Sequence, residues 1–388
     1  MPKVLLKNIG TIVSGNIANP IIEGDAILIE DGIIRKVGPM DAMRGETAET
    51  VIDCSGTTVT PGLIDSHCHN VFGDYTPRQQ QTGFIESAVH GGVTTFISAG
   101  EVHLPGRPKD PAGTKALAIL AAKSFAAFRP GGGKVLGGAL ILEKGLVEKD
   151  FAELAAEGVR VVGEIGLGSV KNPEDAAPMV KWAKAAGMTV MMHTGGTSVP
   201  GSSTVSADMV IRTDPDVVSH INGGTTAVSL TEVRKLVEDT SLTLEIVHCG
   251  NPKVALEAAK MCLDAGALDR LIFGNDAPSG TGVVPLGILR VITFLASLTP
   301  VRPAEALCMA TGNTARIFKL NRGVIAEGKE ADLVIMDAPL GSVGNDALSA
   351  IQAGDIPGVA MVLVDGKIVV NKSRNTPPPN RMPSVSKG

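Results

Sequence analysis

Aromatic side chains are scarce in this chain of 388 residues: they make up 3% of it, with one Trp and one Tyr. Glycine, by contrast, occurs 46 times. That pairing argues against an aromatic-rich binding surface and suits a fold with many short strand-to-helix turns. Cysteine is sparse too. Cys54, Cys68, Cys249, Cys262 and Cys308 are odd in number and form no CxxC pair. A disulfide framework or zinc ribbon is thereby excluded, and reduced thiols in a cytoplasm are the expectation. No uninterrupted apolar run approaches the length of a membrane span, although 44% of the residues are apolar. The opening MPKVLLKNIG lacks the charged, apolar and cleavage regions of a secretory signal. Nor is there a basic run. With 35 Lys and Arg against 40 Asp and Glu the net charge is −5, which argues against a nucleic-acid surface. The chain reads as a cytoplasmic protein with no nucleic-acid or membrane partner.

Two textures are present. Residues 3–60 form short β segments broken by turns, with Asp31-Gly32 as a hairpin signal. The same texture returns in EADLVIMD and GVAMVLVDGKIVV, where Asp365-Gly366 repeats the signal. From Asn375 onward, TPPP and Ser/Lys residues suggest an extended tail. The middle instead alternates apolar runs with helical stretches such as Thr114–Phe128, Pro173–Gly187, Thr225–Asp239 and Pro252–Gly266. Eight such alternations predict an α/β fold, a (β/α)8 TIM barrel over 61–320. Residues 1–60 and 321–388 would together form a small β-sandwich domain. An open doubly wound sheet is the second choice, because no GxGxxG opens the first helix.

The apolar runs end in residues that bind metals: His67-Cys68-His69, Glu164, His193, His220 and Asp276. In a barrel the C-terminal strand ends build the active site, so these would converge. Residues i and i+2 share a strand face, so His67 and His69 can enter one pocket while Cys68 turns away. Taken singly, each has an ordinary explanation as a hydrogen-bonded histidine, a solvated carboxylate or a turn-forming Asp. The coincidence decides: the chain has seven His, and four of them stand at these strand ends beside the two acids. The other three read differently. His90 ends a helix before Gly91-Gly92 and would interact with its dipole. His103 lies in the loop EVHLPGRPKD, and His248 closes the seventh run as a substrate contact or a support for the ligands. Cys68 and Cys249 have no evident base beside them and read as small buried apolar residues.

The strings TPGLIDSHCH, HGGVTT, GNDAP and ATGNTARIFKLNRGVIAEGKEADLVIMD resemble the amidohydrolase superfamily over nearly the whole chain. Longer strings resemble its branch that opens the ring amide of 6-oxo-1,4,5,6-tetrahydronicotinate in nicotinate degradation. They are GDYTPRQ, LPGRPKD, GLGSVKNPEDAAPMV, HTGGTSVPGSSTV, DVVSHINGG, FGNDAPSGTG and SRNTPPP. The resemblance implies two divalent cations, Zn and/or Fe. His67, His69 and Asp276 would hold the more buried one, and His193 and His220 the other. Many cyclic-amide hydrolases of the superfamily bridge their metals with a carboxylated Lys on the fourth strand. Here Glu164 stands there, which puts a plain dihydroorotase or hydantoinase label in doubt and leaves a mononuclear site, as in some Glu-containing deacetylases, open. The alternative activity is another cyclic amidase, of hydantoinase, dihydroorotase or allantoinase type, or an amino-sugar deacetylase. A homo-oligomer, a tetramer in the family, is also implied.

The implied chemistry is attack by metal-activated water on the lactam carbonyl, with Asp276 as the proton shuttle to the leaving nitrogen. Hydrolysis of the released enamine would give 2-formylglutarate and ammonia. Arg78, Arg107 and Lys109 are candidates to meet the substrate's ring carboxylate, and so is the Gly/Ser/Thr-rich stretch from Gly195 to Thr204. Tyr75 is a candidate to hydrogen-bond the substrate. A metal-free scaffold relative is the non-enzymatic alternative, and it would be expected to lack several of these six ligand positions.

Overall fold

The computed structural model describes residues 3–70, 76–102, 104, 106–197, 204–223, 226–277 and 284–388, without the side chains of 76–82. Its middle section carries eight short parallel strands: β1 (Leu63–Cys68), β2 (Val93–Ser98), β3 (Lys134–Leu136), β4 (Val161–Ile165), β5 (Thr189–Met192), β6 (Val217–Val218), β7 (Thr243–Val247) and β8 (Leu271–Gly274). They form a three-stranded sheet ordered β3-β2-β1 and a five-stranded sheet ordered β4-β5-β6-β7-β8. Parallel bridges Leu140–Val162 and Cys68–Ala277 link the two sheets at both edges.

A helix follows each strand: α1 (Thr76–His90), α2 (Pro111–Ala127), α3 (Glu148–Ala156), α4 (Pro173–Ala185), α5 (Ala207–Thr213), α6 (Leu230–Glu238), α7 (Pro252–Asp264) and α8 (Gly287–Leu298). Their starts are specified locally. Asp110 accepts from the Gly113 amide at 2.9 Å ahead of α2, Ser229 and Glu232 form a reciprocal capping box on α6, and Asn251 caps α7. In each case a side-chain oxygen satisfies an amide that has no partner inside the helix. Helix residues such as Phe84, Leu154, Val180, Leu236 and Leu295 pack with Phe96, Val162, Val190 and Phe273 of the strands in one apolar layer.

The opposite faces of the strands hold a smaller cluster. Ile64, Ile97, Val161, Met191, Val217 and Ile272 meet Ala315 and Phe318 there. The period-2 alternation of strands places Met191 in this cluster, Val190 and Met192 against the helices, and His193 back on the inner face.

The two termini meet in two further sheets. One orders Ser384–Lys387, Thr50–Asp53, Lys3–Lys7, Ala26–Glu30 and Ile33–Gly38; the other orders Lys367–Asn371, Gly358–Val364, Leu333–Asp337, Thr58–Pro61, Thr11–Val13 and Ile21–Ile22. Leu6, Ile27, Ile29 and Ile52 of the first share an apolar cluster with Ile12, Val59, Leu333, Ile335, Met361 and Leu363 of the second. Both predicted hairpins form. Asp31 and Gly32 take φ 53° and 77°, and Asp365 and Gly366 take 49° and 70°, the left-handed pair that a tight two-residue turn needs. The tail from Asn375 is more than an extended wrap: Ser384–Lys387 pairs antiparallel with Thr50–Asp53. Among the described residues no helix is long and apolar enough to cross a membrane.

Candidate metal centre

The strand ends gather the six residues the sequence singled out. His67 and His69 come from the end of β1, Glu164 from β4, and His193, His220 and Asp276 from just beyond β5, β6 and β8. All are buried. Their ligand atoms fall into two sets, His67–His69–Asp276 and Glu164–His193–His220.

In the first set the Nε2 atoms of His67 and His69 stand 3.6 and 3.4 Å from Asp276 Oδ1. Glu164 Oε2 lies 3.5 Å from both imidazole nitrogens. In the second set His220 Nε2 is 3.1 Å from His193 Nδ1 and 2.6 Å from Glu164 Oε1, which is 3.7 Å from His193 Nδ1. One carboxylate therefore faces both sets, one oxygen to each.

The donors fit a divalent cation. Ligand atoms about 2.0–2.1 Å from one tetrahedral cation stand roughly 3.3 Å apart, close to the 3.4–3.6 Å of the first set. His67 Nε2 is buried and has no hydrogen-bond partner, which is costly unless something else satisfies it. Neutral imidazole and carboxylate are the donor types that Zn and Fe accept.

Local backbone geometry aims these groups. His220 and Asp276 have positive φ, 35° and 58°, a region that non-glycine residues seldom occupy and that recurs at functional sites. The ladder register shifts between Asp65 and Cys68 in β1 and between Val162 and Ile165 in β4, where the ligand residues emerge, and such irregularities re-aim side chains. Gly100 (φ 116°) turns its carbonyl to His69 Nδ1 at 3.0 Å; a Cβ there would lie 2.2 Å from Ile141 Cδ1. That hydrogen bond leaves His69 Nε2 facing the cluster.

The charges sustain one another. Burial pushes the Glu164 carboxyl up, but the His67 and His220 imidazoles outweigh it and hold it well below its usual range. Burial likewise raises Asp276, and the hydrogen bond to His69 with the charges of His67 and His220 brings it below its ordinary value. Desolvation disfavours charged His67, yet Glu245 and Glu164 raise its pKa well above the usual imidazole value.

Glu245, on β7, was not singled out by the sequence. It is fully buried and lies 2.7 Å from His67 Nδ1. The available signal was an acidic residue within the apolar run LTLEIV, since Glu is almost never fully buried unless paired. Asp65 was missed likewise. Its Oδ1 accepts from the backbone amides of His67 and Asn275, joining β1 to the segment after β8, and burial pushes its carboxyl up to about 6.

The substrate-contact candidates are spread out. Tyr75 and His103 lie outside the described residues, as does the side chain of Arg78. Arg107 pairs with buried Glu143 at 2.8 Å, so its guanidinium already serves one carboxylate. Lys109 is exposed in the same loop. His248 is half-buried beyond β7, with Nδ1 lacking a hydrogen-bond partner; burial and the nearby Arg290 lower its pKa. His90 ends α1, as predicted, and its Nδ1 accepts from the Arg374 amide of the tail. Cys68 and Cys249 are buried.

The chain is similar to known proteins over its whole length. The chain is 60% identical to enamidase of Eubacterium barkeri over 385 residues, covering 99% of this chain and 100% of that one. It superposes on a crystal structure of enamidase with a TM-score of 0.96, at 59% identity and over 99% and 100% of the two chains. A beta-aspartyl dipeptidase from Fervidobacterium islandicum AW-1 matches at TM-score 0.67 and 18% identity over 96% and 98%, a likeness of fold. A stretch of 54 residues, 14% of this chain and 13% of the other, is 50% identical to imidazolonepropionase of Bacillus cereus. With residues 58–369 matching its pattern, the chain belongs to the amidohydrolase family.

Proposed function

We propose that this protein is a metal-dependent cyclic amidase that hydrolyses 6-oxo-1,4,5,6-tetrahydronicotinate to 2-formylglutarate and ammonia, in nicotinate degradation. The observation that carries the reading is Glu164, whose two oxygens face two separate sets of buried ligands. Two cations fit that arrangement, one held by His67, His69 and Asp276 and the other by His193 and His220, with Glu164 between them. Glu164 would offer one carboxylate oxygen to each set. Full-length similarity to enamidase selects the lactam among cyclic amides. All six ligand positions hold competent side chains, which weighs against a metal-free scaffold.

When bound, such cations supply Lewis acidity that makes hydroxide available from water near neutral pH and stabilises negative charge on the carbonyl oxygen. The chain's own residues do the rest. Asp276, whose Oδ1 lies 3.4–3.6 Å from the Nε2 atoms of His67 and His69, is placed to take the proton of the attacking water. It returns that proton to the ring nitrogen as the C–N bond breaks, without which an amide nitrogen leaves poorly. The products of this step are a carboxylate and an enamine; a second water converts the enamine, through its imine tautomer, to the aldehyde and ammonia. Arg78 and Lys109 are the cations proposed for the ring carboxylate, since Arg107 is engaged by Glu143, with Tyr75 and His248 as further substrate contacts.

The same proposal takes the eight strands as one closed (β/α)8 barrel over 61–320 and the terminal sheets as a β-sandwich. The two edge bridges and the apolar cluster shared by the terminal sheets support this. The test is ammonia release from a panel of lactams. Turnover of the tetrahydropyridone carboxylate well above that of hydantoin, dihydroorotate and allantoin is expected. Ammonia release from the others alone would overturn the substrate while keeping the class.

A further inference from the structure

Glu245 is a buried carboxylate to which the mechanism above gives no part. It sits on β7, and its side-chain partners come from β1 and from the turn after β6. Its Oε1 accepts the Ser66 hydroxyl at 2.5 Å. Its Oε2 lies 2.7 Å from His67 Nδ1 and also accepts the backbone amide of His220 at 3.3 Å. His67 belongs to one ligand set and His220 to the other.

We infer that Glu245 is a positioning residue that ties the two cation sites together, fixing the His67 ring through its side chain and the His220 turn through its amide. A carboxylate at Nδ1 requires the proton to sit on Nδ1, so Nε2 presents its lone pair to the cluster. The negative charge also makes the imidazole a stronger donor. At His220 the task differs. The backbone there is held at φ 35°, a conformation that persists only where surrounding contacts hold it. A hydrogen bond from that amide to a buried anion is such a contact, and charge-assisted bonds are the stronger kind. Ser66 fixes the other oxygen, so the carboxylate cannot rotate away from either partner. Gly274 keeps this corner tight, because a Cβ there would lie 2.6 Å from that of His67 and 3.1 Å from Ser66 Oγ.

This inference rests on the metal-centre reading, and the experiment separates the two. Holoenzyme, purified without chelator, is exposed to EDTA, and the zinc and iron remaining bound are followed by elemental analysis. Glu245→Gln keeps the shape of the side chain and removes its charge. One equivalent is expected to leave 10–100-fold faster than from the unaltered protein, and the second by a smaller but measurable factor. Ser66→Ala should accelerate both by less. Glu245→Gln curves that superimpose on the unaltered protein's would overturn the inference. Acceleration of one equivalent alone would overturn the tie between the sites. A residue that only packs would lower the melting temperature of the metal-free protein and leave both rates alone, which also overturns it. Should Glu245→Gln not fold, Ser66→Ala decides on the same criterion. Unaltered protein that holds no cation at all would instead overturn the metal centre itself.

Discussion

Asp276 and His67 neighbour each other across the first ligand set, yet their loss should differ. His67→Ala deletes an imidazole and should cost both cation content and nearly all activity. Asp276→Ala should lower turnover by at least ~10²–10⁴-fold, the usual worth of general acid–base catalysis, while retaining more metal. Ammonia assays paired with elemental analysis check both, and a fully active Asp276→Ala would remove the proton-shuttle role. Arg107 makes a different kind of prediction. Glu143 is fully buried beside it, and the other Glu143 oxygen accepts the Ser169 amide at 3.0 Å. Arg107→Ala leaves an uncompensated buried carboxylate and should destabilise the fold by about 3–5 kcal/mol. The double variant Arg107→Leu/Glu143→Leu should recover much of that in urea melts. The role of Arg107 was the part the residue pattern could not supply. A loop arginine looks the same in sequence whether it meets a substrate or a glutamate 36 positions away.

Elements of the middle section begin and end where local chemistry says they should. Pro173–Gly187 and Pro252–Gly266 were expected as helices, and α4 and α7 begin on those prolines, whose missing amide costs nothing at a helix start. The stretch expected from Thr225 starts later, at Leu230, because Ser229 and Glu232 box the helix end there. Ser229→Ala should cost about 1 kcal/mol, read as a lower melting temperature with unchanged activity. A loss of activity without a change in melting temperature would contradict a purely capping role. The strands were legible as apolar runs but their lengths were not. The third run, KVLGGALIL, pairs as a strand over Lys134–Leu136 and touches β4 again at Leu140. Between them the glycines Gly137 and Gly138 break the ladder, Gly138 with φ 76°.

Across the whole molecule, a partly buried charge cluster joins the middle section to the C-terminal strands. Lys134 at the start of β3 donates to Glu330, Asp332 and Asp365 at 2.6–2.8 Å. Burial raises all three carboxyls. Lys134, joined by Arg322 at Glu330 and by Arg129 at Asp365, outweighs it there, and those two fall below their ordinary 4.5 and 3.8, whereas Asp332 stays raised. The depressed pair adds stability that is present above those ordinary values and is lost as pH falls through the lowered folded values; Asp332 acts in the opposite sense. In Lys134→Met, Glu330 keeps Arg322 at 2.9 Å and Asp365 keeps Arg129 at 2.7 Å, while buried Asp332 loses its nearest cation and folding favours its protonation. The gap in melting temperature between the unaltered protein and Lys134→Met should be wide at pH 7 and narrow below about pH 4. A gap independent of pH would show that the lysine acts through packing alone.

Alone, the sequence determined what repeats locally: the strand–helix alternation, the two Asp-Gly hairpins, and the placing of His67, His69, Glu164, His193, His220 and Asp276 at strand ends. Each depends on neighbours within a few positions, or on a strand end that period-2 patterning makes visible. Only the tertiary structure decided which of these groups come within ligand distance of one another, that Glu164 divides its oxygens between two sets, and that Glu245 meets His67 across 178 positions of chain. The same holds for the pairing of Arg107 with Glu143 and for the three acids around Lys134. Such contacts form where separate strands close on one another, and the burial that makes a carboxylate–imidazole or carboxylate–ammonium pair strong is a property of that closure. No local pattern encodes it.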